Sequence, residues 1–469
     1  MTACNCPVAA LAAENPNGLA IWSPEKYISY AEWHAAIVNA AASFRDVGLD
    51  AGGRITFSLP LRPGALTILL AAFRAGIVVC PLDPAFPEEY RQKFVRRFDA
   101  KYDMTWDGVP LPVRSEAERA IVPMAAEPHP GEFIWPDLEG PATAILTSGS
   151  TGTPKIAVLS LANHLAAARA SNANIPLGPD DAWLMSLPPH HVAGLGILFR
   201  CLAAGAMIAF PGDLPLREAI EQSGATHLSL VPAQLARLLD GGPVPPLKAI
   251  LLGGSAIPAR LLDRAFDAGL PVHTSYGMTE MATQVATSPP GASRAMLSSS
   301  GRPLIPGTLR IGSDGRLHVN GPARFLGYWI NGQIEMPYNF EGWFATGDCG
   351  HLDEDGCLHV TGRADNMFVA GGENVQPEEI ERALLRLPGV AQAVVVPVPH
   401  PEFGATPVAF VETDGPLDPD AMRAALAPAL PRFKIPRRIL PWPEGLAGGG
   451  IKIARAAFIE EAIRRIEKE

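Results

Sequence analysis

The sequence predicts an α/β protein in two parts: a large N-terminal domain of helix-covered, mostly parallel sheets with a smaller β-subdomain, and then a small α+β C-terminal domain. Three observations carry that reading. Across residues 182–275 short apolar runs alternate with amphipathic stretches; after Ser293 the texture changes to short strands and glycine or proline turns; from about residue 366 a second pattern opens with apolar elements of its own. That last stretch, roughly 100 residues, is long enough for a small domain.

In chain order, residues 30–44 place apolar side chains at helical spacing and predict a surface helix, followed by a strand at 54–59, a helix at 65–75 and a strand at 77–82. The middle of the chain repeats the alternation: strand 182–187, helix 192–204, strand 207–210, helix 216–222, strand 227–231, helix 233–239, strand 249–252, helix 258–268 and strand 272–275. Strands this continuously apolar are buried on both faces, as in parallel sheets covered by helices, and ligands of such sheets gather where the strands end. Turns at Gly301-Arg302-Pro303 and Asp353-Glu354-Asp355-Gly356 punctuate the β-subdomain. The C-terminal stretch reads as helix 377–387, strands 391–398 and 407–412, helix 418–426 and a charged helix from residue 454. The chain has no internal repeat.

With 469 residues, 48% hydrophobic and 18% charged, the chain can bury a large core and is not of the disordered class. A net charge of -10 excludes a broad nucleic-acid footprint, which needs a basic face, but allows a local basic patch for a small phosphorylated ligand. The six cysteines (Cys4, Cys6, Cys80, Cys201, Cys349, Cys357) lack paired metal-site spacing, and a chain this size needs no disulfide staples, so they read as reduced thiols. Residues 1–13 lack the basic segment of a signal peptide, and the most membrane-like run, 65–82, is interrupted by Arg74 and closed by Pro81. The expectation is a soluble, cytoplasmic protein without membrane insertion.

The most explicit chemistry lies in Thr147-Ser148-Gly149-Ser150-Thr151-Gly152-Thr153-Pro154-Lys155, between apolar runs that predict two short strands. Gly149 and Gly152 let the backbone turn so that successive N–H groups face an anion, while Thr147, Ser148, Ser150, Thr151 and the Lys155 cation add donors. The spacing is not that of the common phosphate loop, and no helix follows directly. Alone, a polar turn of this kind is more often simply solvated.

Four further constellations each admit two readings. Tyr276-Gly277-Met278-Thr279-Glu280 follows a predicted strand, where Tyr276 can stack on a base, Thr279 can meet a phosphate and Glu280 can ligate Mg2+; it can equally be a turn into a capped helix. Asp348, closing Gly342-Trp343-Phe344-Ala345-Thr346-Gly347-Asp348, can accept both hydroxyls of a ribose or form an Asx turn. Arg363 and Asp365 lie at the inferred domain boundary, as a ribose or phosphate contact and a hinge, or as a solvated linker. Gly448-Gly449-Gly450-Ile451-Lys452 is either a mobile arm carrying a cation or a flexible basic tail.

The joint order of these motifs, with Gly371-Gly372-Glu373-Asn374-Val375-Gln376-Pro377-Glu378-Glu379-Ile380-Glu381 before the last lysine, decides between the readings. Over nearly its whole length the sequence resembles the adenylate-forming superfamily of acyl-CoA synthetases. The resemblance implies that a carboxylate is activated by MgATP with release of pyrophosphate, and that the acyl group then passes from AMP to a thiol, commonly that of CoA. It implies residues 1–364 as the domain for ATP and the acyl substrate and residues 365–469 as a mobile lid hinged at Asp365. Carried over by motif, the 147–155 loop with Lys155 is implied to contact phosphates, and Gly253-Gly254-Ser255 with Tyr276 to form the adenine wall beside Gly277 and Met278. Asp348 and Arg363 are implied as the ribose contacts. Thr279, Glu280 with its Mg2+, and Lys452 would offset charge at the α-phosphate. Gly371 and Gly372 would line the channel for the pantetheine arm of CoA. Asn366 stands where many relatives carry a second acidic residue, which leaves the hinge bonding open.

Within the family, several stretches resemble the members that ligate o-succinylbenzoate to CoA in menaquinone synthesis. They are Ser186-Leu187-Pro188 with His191-Val192, Ser229-Leu230-Val231-Pro232 with Arg237, and above all Gly449-Gly450-Ile451-Lys452-Ile453 with Arg455. That implies an aromatic acid with a second carboxylate, in a mostly apolar pocket with one or two polar anchors. His191 is the candidate for the wall near the reacting carboxyl. Arg237 either pairs with an acid group or snorkels at the surface, and His190 is assigned to packing or solvent. A CoA ligase for another aryl or acyl acid is the nearest alternative; a phosphotransferase and a non-catalytic nucleotide-binding regulator are more distant. The oligomeric state is left open, a homo-oligomer included.

Overall fold

The structure, a computed structural model, describes residues 4–58, 60–105, 110–112, 134–135, 137–147, 154–444 and 455–467. Among the described residues two large sheets share one core. The first orders nine strands as Arg302–Pro303, Thr283–Thr287, Val272–Met278, Ala249–Leu252, His227–Leu230, Ala182–Leu184, Met207–Ala209, Leu19–Ser23 and Lys26–Ser29. Those from Val272–Met278 through Leu19–Ser23 run parallel, and the outer ones antiparallel. The second orders eight as Gln333–Glu335, Gly327–Ile330, Lys155–Ser160, Pro141–Thr147, Val78–Pro81, Arg54–Ser58, Tyr102–Thr105 and Pro110–Pro112, parallel at its centre. The alternation read from the sequence is therefore split over two sheets.

Helices Tyr30–Asp46, Pro63–Arg74, Leu161–Asn174 and Val192–Ala204 fill the largest core, which takes residues from both sheets. Two of them start on the same reciprocal cap: Ser29 with Glu32, and Ser160 with Asn163, each side chain bonding the other's backbone N–H. Helices Leu216–Ser223, Pro232–Asp240 and Ala259–Asp267 cover the far face of the first sheet, and Glu88–Arg97 covers the second through Phe94 and Val95. Both large sheets are thus covered on two faces, which is why strands such as Ala182–Leu184 and Ala249–Leu252 are apolar at every position. An antiparallel four-stranded sheet, Leu309–Ile311, Arg316–Val319, Phe344–Leu352 and Leu358–Arg363, forms the β-rich part. None of the described helices is long and apolar enough to cross a membrane.

From Ala370 onward the buried apolar residues form two clusters of their own, on opposite faces of the sheet Val390–His400, Gly404–Thr413, Arg438–Pro441. Val395, Ala409 and Val411 meet Ile380 and Leu384 of helix Pro377–Leu384, while Val394, Val396 and Phe410 meet Phe458 and Ala462 of helix Arg455–Glu467. Successive residues alternate between the faces, as a strand requires. The strand expected at 182–187 ends at Leu184, helix Glu88–Arg97 is an element the sequence pattern did not show, and two further differences have a physical reason. Helix Leu161–Asn174 buries the polar Asn163, His164 and Ser171 beside Leu161, Leu165, Ala167 and Ala168, and carries Ala162, Ala166 and Ala170 on its less buried side, so no apolar stripe betrays it. Strand Val272–Met278 runs three residues beyond 275 because Gly277 and Met278 pair with Gln284 and Thr283 of an added antiparallel strand.

Candidate active site

The parallel strands His227–Leu230, Ala249–Leu252 and Val272–Met278 end side by side, so the segments that follow them share one rim. Gly253 donates its N–H to the carbonyl of Leu230 at 3.3 Å, and a Cβ placed on it would lie 2.6 Å from Ser275 Oγ. Only glycine lets that turn lie so close to the neighbouring strand. Gly254 and Ser255 are exposed beyond it.

Tyr276, Asp348 and Arg363 are far apart in sequence and meet at this rim. The Tyr276 hydroxyl donates to Asp348 Oδ2 at 2.6 Å, and Arg363 Nη1 donates to Asp348 Oδ1 at 2.9 Å from the register-paired position on the next strand. Arg363 Nη2 continues to Asp365 Oδ2 at 3.2 Å. Burial and the Asp348 carboxylate push the Tyr276 phenol well above its ordinary value, so it remains a donor. This arrangement presents a carboxylate, a cation and a ring edge to one ligand, the chemistry a nucleoside needs.

Glu280 lies beside it in the turn Thr279–Met281, buried, with Thr279 half-buried. Its Oε1 accepts from the Tyr328 hydroxyl at 2.6 Å, and the Lys155 ammonium sits 4.9 Å from the centroid of the Tyr328 ring. Lys155 and Thr147 face each other across the antiparallel strands Pro141–Thr147 and Lys155–Ser160, as the sequence expects of a loop joining two strands. Ser148, Gly149, Ser150, Thr151 and Gly152 of that loop lie outside the described residues, and so does Lys452. No cluster of three or more His, Cys, Asp or Glu side chains is present among the described residues. A single buried carboxylate beside a phosphate-type loop suits Mg2+, which is commonly held by one or two carboxylates together with substrate phosphates.

His191 caps helix Val192–Ala204, its ring 4.5 Å from that of His190. A Cβ on Gly194 would meet the Pro188 carbonyl at 2.2 Å, so this glycine seats the 188–191 turn on the helix. His190 is packed rather than solvated: its Nε2 is 3.8 Å from Asp83 Oδ2, and burial, reinforced by His191, pulls it down to about 4. Arg237 is exposed, its Nε donating to the carbonyl of Ala233 one turn earlier at 3.2 Å. Gly371 and Gly372, with φ of +61° and +87°, form an exposed hairpin tip. Asp365 is half-exposed in the turn Ala364–Asn366.

Two residues here escape motif reading. Tyr328 reaches Glu280 only because its strand pairs with Lys155–Ser160, a relation no local spacing encodes. Arg200, on helix Val192–Ala204, is fully buried: Nε donates to Ser171 Oγ at 2.9 Å, Nη2 to Gln284 Oε1 at 2.8 Å, and the guanidinium stacks 5.0 Å from the Trp183 ring. Nη1 has no hydrogen-bond partner. Burial lowers its pKa to about 10, which still leaves it charged at neutral pH. Gln284 is register-paired with Gly277, so this cation lies next to the Tyr276–Glu280 stretch. A lone arginine in an otherwise apolar helix was the available signal.

Residues 8–329 match the family described as AMP-binding enzyme, and residues 379–446 its C-terminal domain. A 2-succinylbenzoate–CoA ligase of Salmonella typhimurium is 36% identical over 89% of this chain and 89% of its own length, and that of Escherichia coli 35% identical over 93% of each. An arginine-to-lysine variant of E. coli MenE with bound OSB-AMS is similar in structure at a TM-score of 0.85 and 33% identity, covering 99% of this chain and 100% of that one. The o-succinylbenzoate CoA synthetase (MenE) from Bacillus subtilis, in complex with ATP and magnesium ion, matches at 0.83 and 26% identity, covering 94% and 96%. With a family model matched over residues 8–329 and relatives matched almost end to end, the chain belongs to the AMP-binding enzyme family.

Proposed function

We propose that the chain activates o-succinylbenzoate with ATP and transfers it to CoA. In the first step a carboxylate oxygen bonds to the α-phosphorus and the bond to the β-phosphate oxygen breaks, giving acyl-AMP and pyrophosphate. In the second, the CoA sulfur bonds to the acyl carbon and AMP leaves. The observation that carries this reading is the meeting of Tyr276, Asp348 and Arg363 beside the Glu280–Tyr328–Lys155 group at the ends of parallel strands. Relatives named for this ligation support the choice of acid.

In this account Asp348 accepts the ribose hydroxyls, Arg363 holds Asp348 in place, and Tyr276 with residues 253–255, Gly277 and Met278 walls the adenine. Glu280 would hold Mg2+, which when bound supplies charge neutralisation at the phosphates. Thr279, Lys155 and the 147–152 loop contribute donors, and Lys452 brings a cation to the α-phosphate. Residues 1–364 form the substrate domain, and 365–469 a lid pivoting at Asp365 that later offers Gly371 and Gly372 to the pantetheine arm. His191 lines the acyl pocket. For the second carboxylate of the substrate we choose Arg200 over Arg237, because it is buried with a donor unspent. The cytoplasm is the proposed compartment. The test is pyrophosphate release by purified protein with ATP, Mg2+ and a panel of acids. Turnover that requires o-succinylbenzoate is expected, and equal turnover of benzoate would transfer the assignment to another aryl-acid ligase.

A further inference from the structure

The hinge expectation named Asp365 and left Asn366 unexplained. Asn366 Nδ2 donates to Glu378 Oε1 at 2.5 Å, and the same oxygen accepts from Arg455 Nη2 at 3.2 Å. Glu378 Oε2 accepts from Gln376 Nε2, which also donates to the carbonyl of Arg363 at 2.9 Å. Arg455 is further fixed by Glu381, at 2.6 Å and 2.9 Å, and by the carbonyl of Val395 at 2.7 Å. It stands three positions after Lys452 in the sequence. One carboxylate thus joins the residue after the hinge to the anchored start of the last helix.

Besides the turn bond from the Met367 N–H to the Ala364 carbonyl, two side-chain hydrogen bonds among the described residues cross Asp365 from one side to the other: Gln376 to Arg363, and Arg382 Nη1 to the carbonyl of Thr361 at 2.9 Å. Rotation of the chain at residue 365 has to break both. The contact is close, since a Cβ on Gly362 would lie 2.3 Å from Gln376 Nε2 and 2.6 Å from Glu378 Oε2. In this arrangement Gly371 and Gly372 are exposed, a Cβ on Gly371 would meet only Phe403, and one on Gly372 would meet nothing. No residue of that rim therefore lies against a Cβ built at the glycine tip.

We propose that Glu378 is a positioning residue for the first half-reaction: it is the node of a latch, Asn366–Glu378–Gln376–Arg363 with Arg455, that holds residues 366–467 in the orientation serving adenylation and must open before thioester formation. This rests on the two-step reading above. Glu378 touches no substrate; it acts through the hinge and through Arg455.

The test separates the half-reactions, with pyrophosphate exchange measured against thioester formation from supplied acyl adenylate and CoA. Glu378→Ala, and Gly362→Ala, which wedges Gln376 off the Arg363 carbonyl, are expected to lower the ratio of the first rate to the second about tenfold, the worth of one such hydrogen bond. Glu378→Gln keeps an acceptor for Asn366 and Arg455 but sets an amide donor against Gln376 Nε2, so it should lower the ratio nearly as far, which marks the link to Gln376 rather than the hold on Arg455 as the working part. A merely structural role would lower both rates together. Parallel losses, or no change in folded variants, overturn the proposal. Trypsin cleavage after Arg363 reads the latch without any activity and should accelerate about tenfold in Glu378→Ala. An unmodified chain that forms neither adenylate nor thioester defeats the functional reading alone, and unchanged cleavage still defeats the latch.

Discussion

Tyr328→Phe removes one oxygen atom from the site and leaves the ring on which the Lys155 ammonium rests. What it deletes is a 2.6 Å hydrogen bond from a buried phenol to Glu280 Oε1. A bond to a charged acceptor contributes about 1.5–3 kcal/mol, and loss of a partner that orients a metal ligand typically weakens the metal about 10–100-fold. If Glu280 holds Mg2+, the concentration giving half-maximal pyrophosphate release at saturating ATP should rise by about that factor. The KM for the acid should stay within about twofold, because Tyr328 lies on the strand paired with Lys155–Ser160, whereas Arg200 stands on helix Val192–Ala204 and bonds Gln284 of the strand Thr283–Thr287. Burial and Glu280 push the Tyr328 phenol up from its ordinary value, so the defect should be flat between about pH 6 and pH 9. A magnesium titration is the assay. An unchanged Mg2+ requirement, or an acid KM that moves as far as the Mg2+ requirement, would refute the argument.

Lys452→Ala should lose pyrophosphate exchange by at least about a hundredfold while melting at the temperature of the unmodified chain, since the role proposed for it is at the transition state; calorimetry beside the exchange assay checks both halves. Arg200→Met should raise the KM for o-succinylbenzoate about 10–100-fold but leave the KM for an acid lacking the second carboxylate nearly unchanged, whereas Arg237→Ala should alter neither. His164 is fully buried against Phe199 and Thr143, and burial pulls it down to about 3. Its folded value lies below the unfolded one, so the stability tied to its neutral form is complete above about pH 6.5 and is lost as pH falls toward 3, on the order of 3–5 kcal/mol in total. Melting curves from pH 7 to pH 4 should therefore slope less steeply in His164→Gln.

Much of this architecture was legible because apolar runs and periodicity are local properties. Helix Val192–Ala204 and strand Ala249–Leu252 fall where the pattern predicts. Helix Leu161–Asn174 was missed because polar Asn163, His164 and Ser171 lie on its buried side and alanines on the other, which blurs its period. The rim where Tyr276, Asp348 and Arg363 meet was legible as a set of motifs, since glycine turns and clustered polar residues announce themselves in one dimension. Tyr328, Arg200 and Glu378 were not, because each acts through strand pairing or helix docking between residues dozens of positions apart. The two readings of Arg237 stayed open for a related reason: spacing on a helix says nothing about which way a long side chain turns, and it lies along its own helix surface.

The most direct measurement of the central claim is product analysis of a single reaction containing the purified chain, ATP, Mg2+, o-succinylbenzoate and CoA. The account predicts AMP and pyrophosphate in equal amounts, an acyl adenylate that accumulates when CoA is withheld, and a thioester once it is added. ADP and inorganic phosphate in their place, or pyrophosphate release indifferent to the acid, would contradict it.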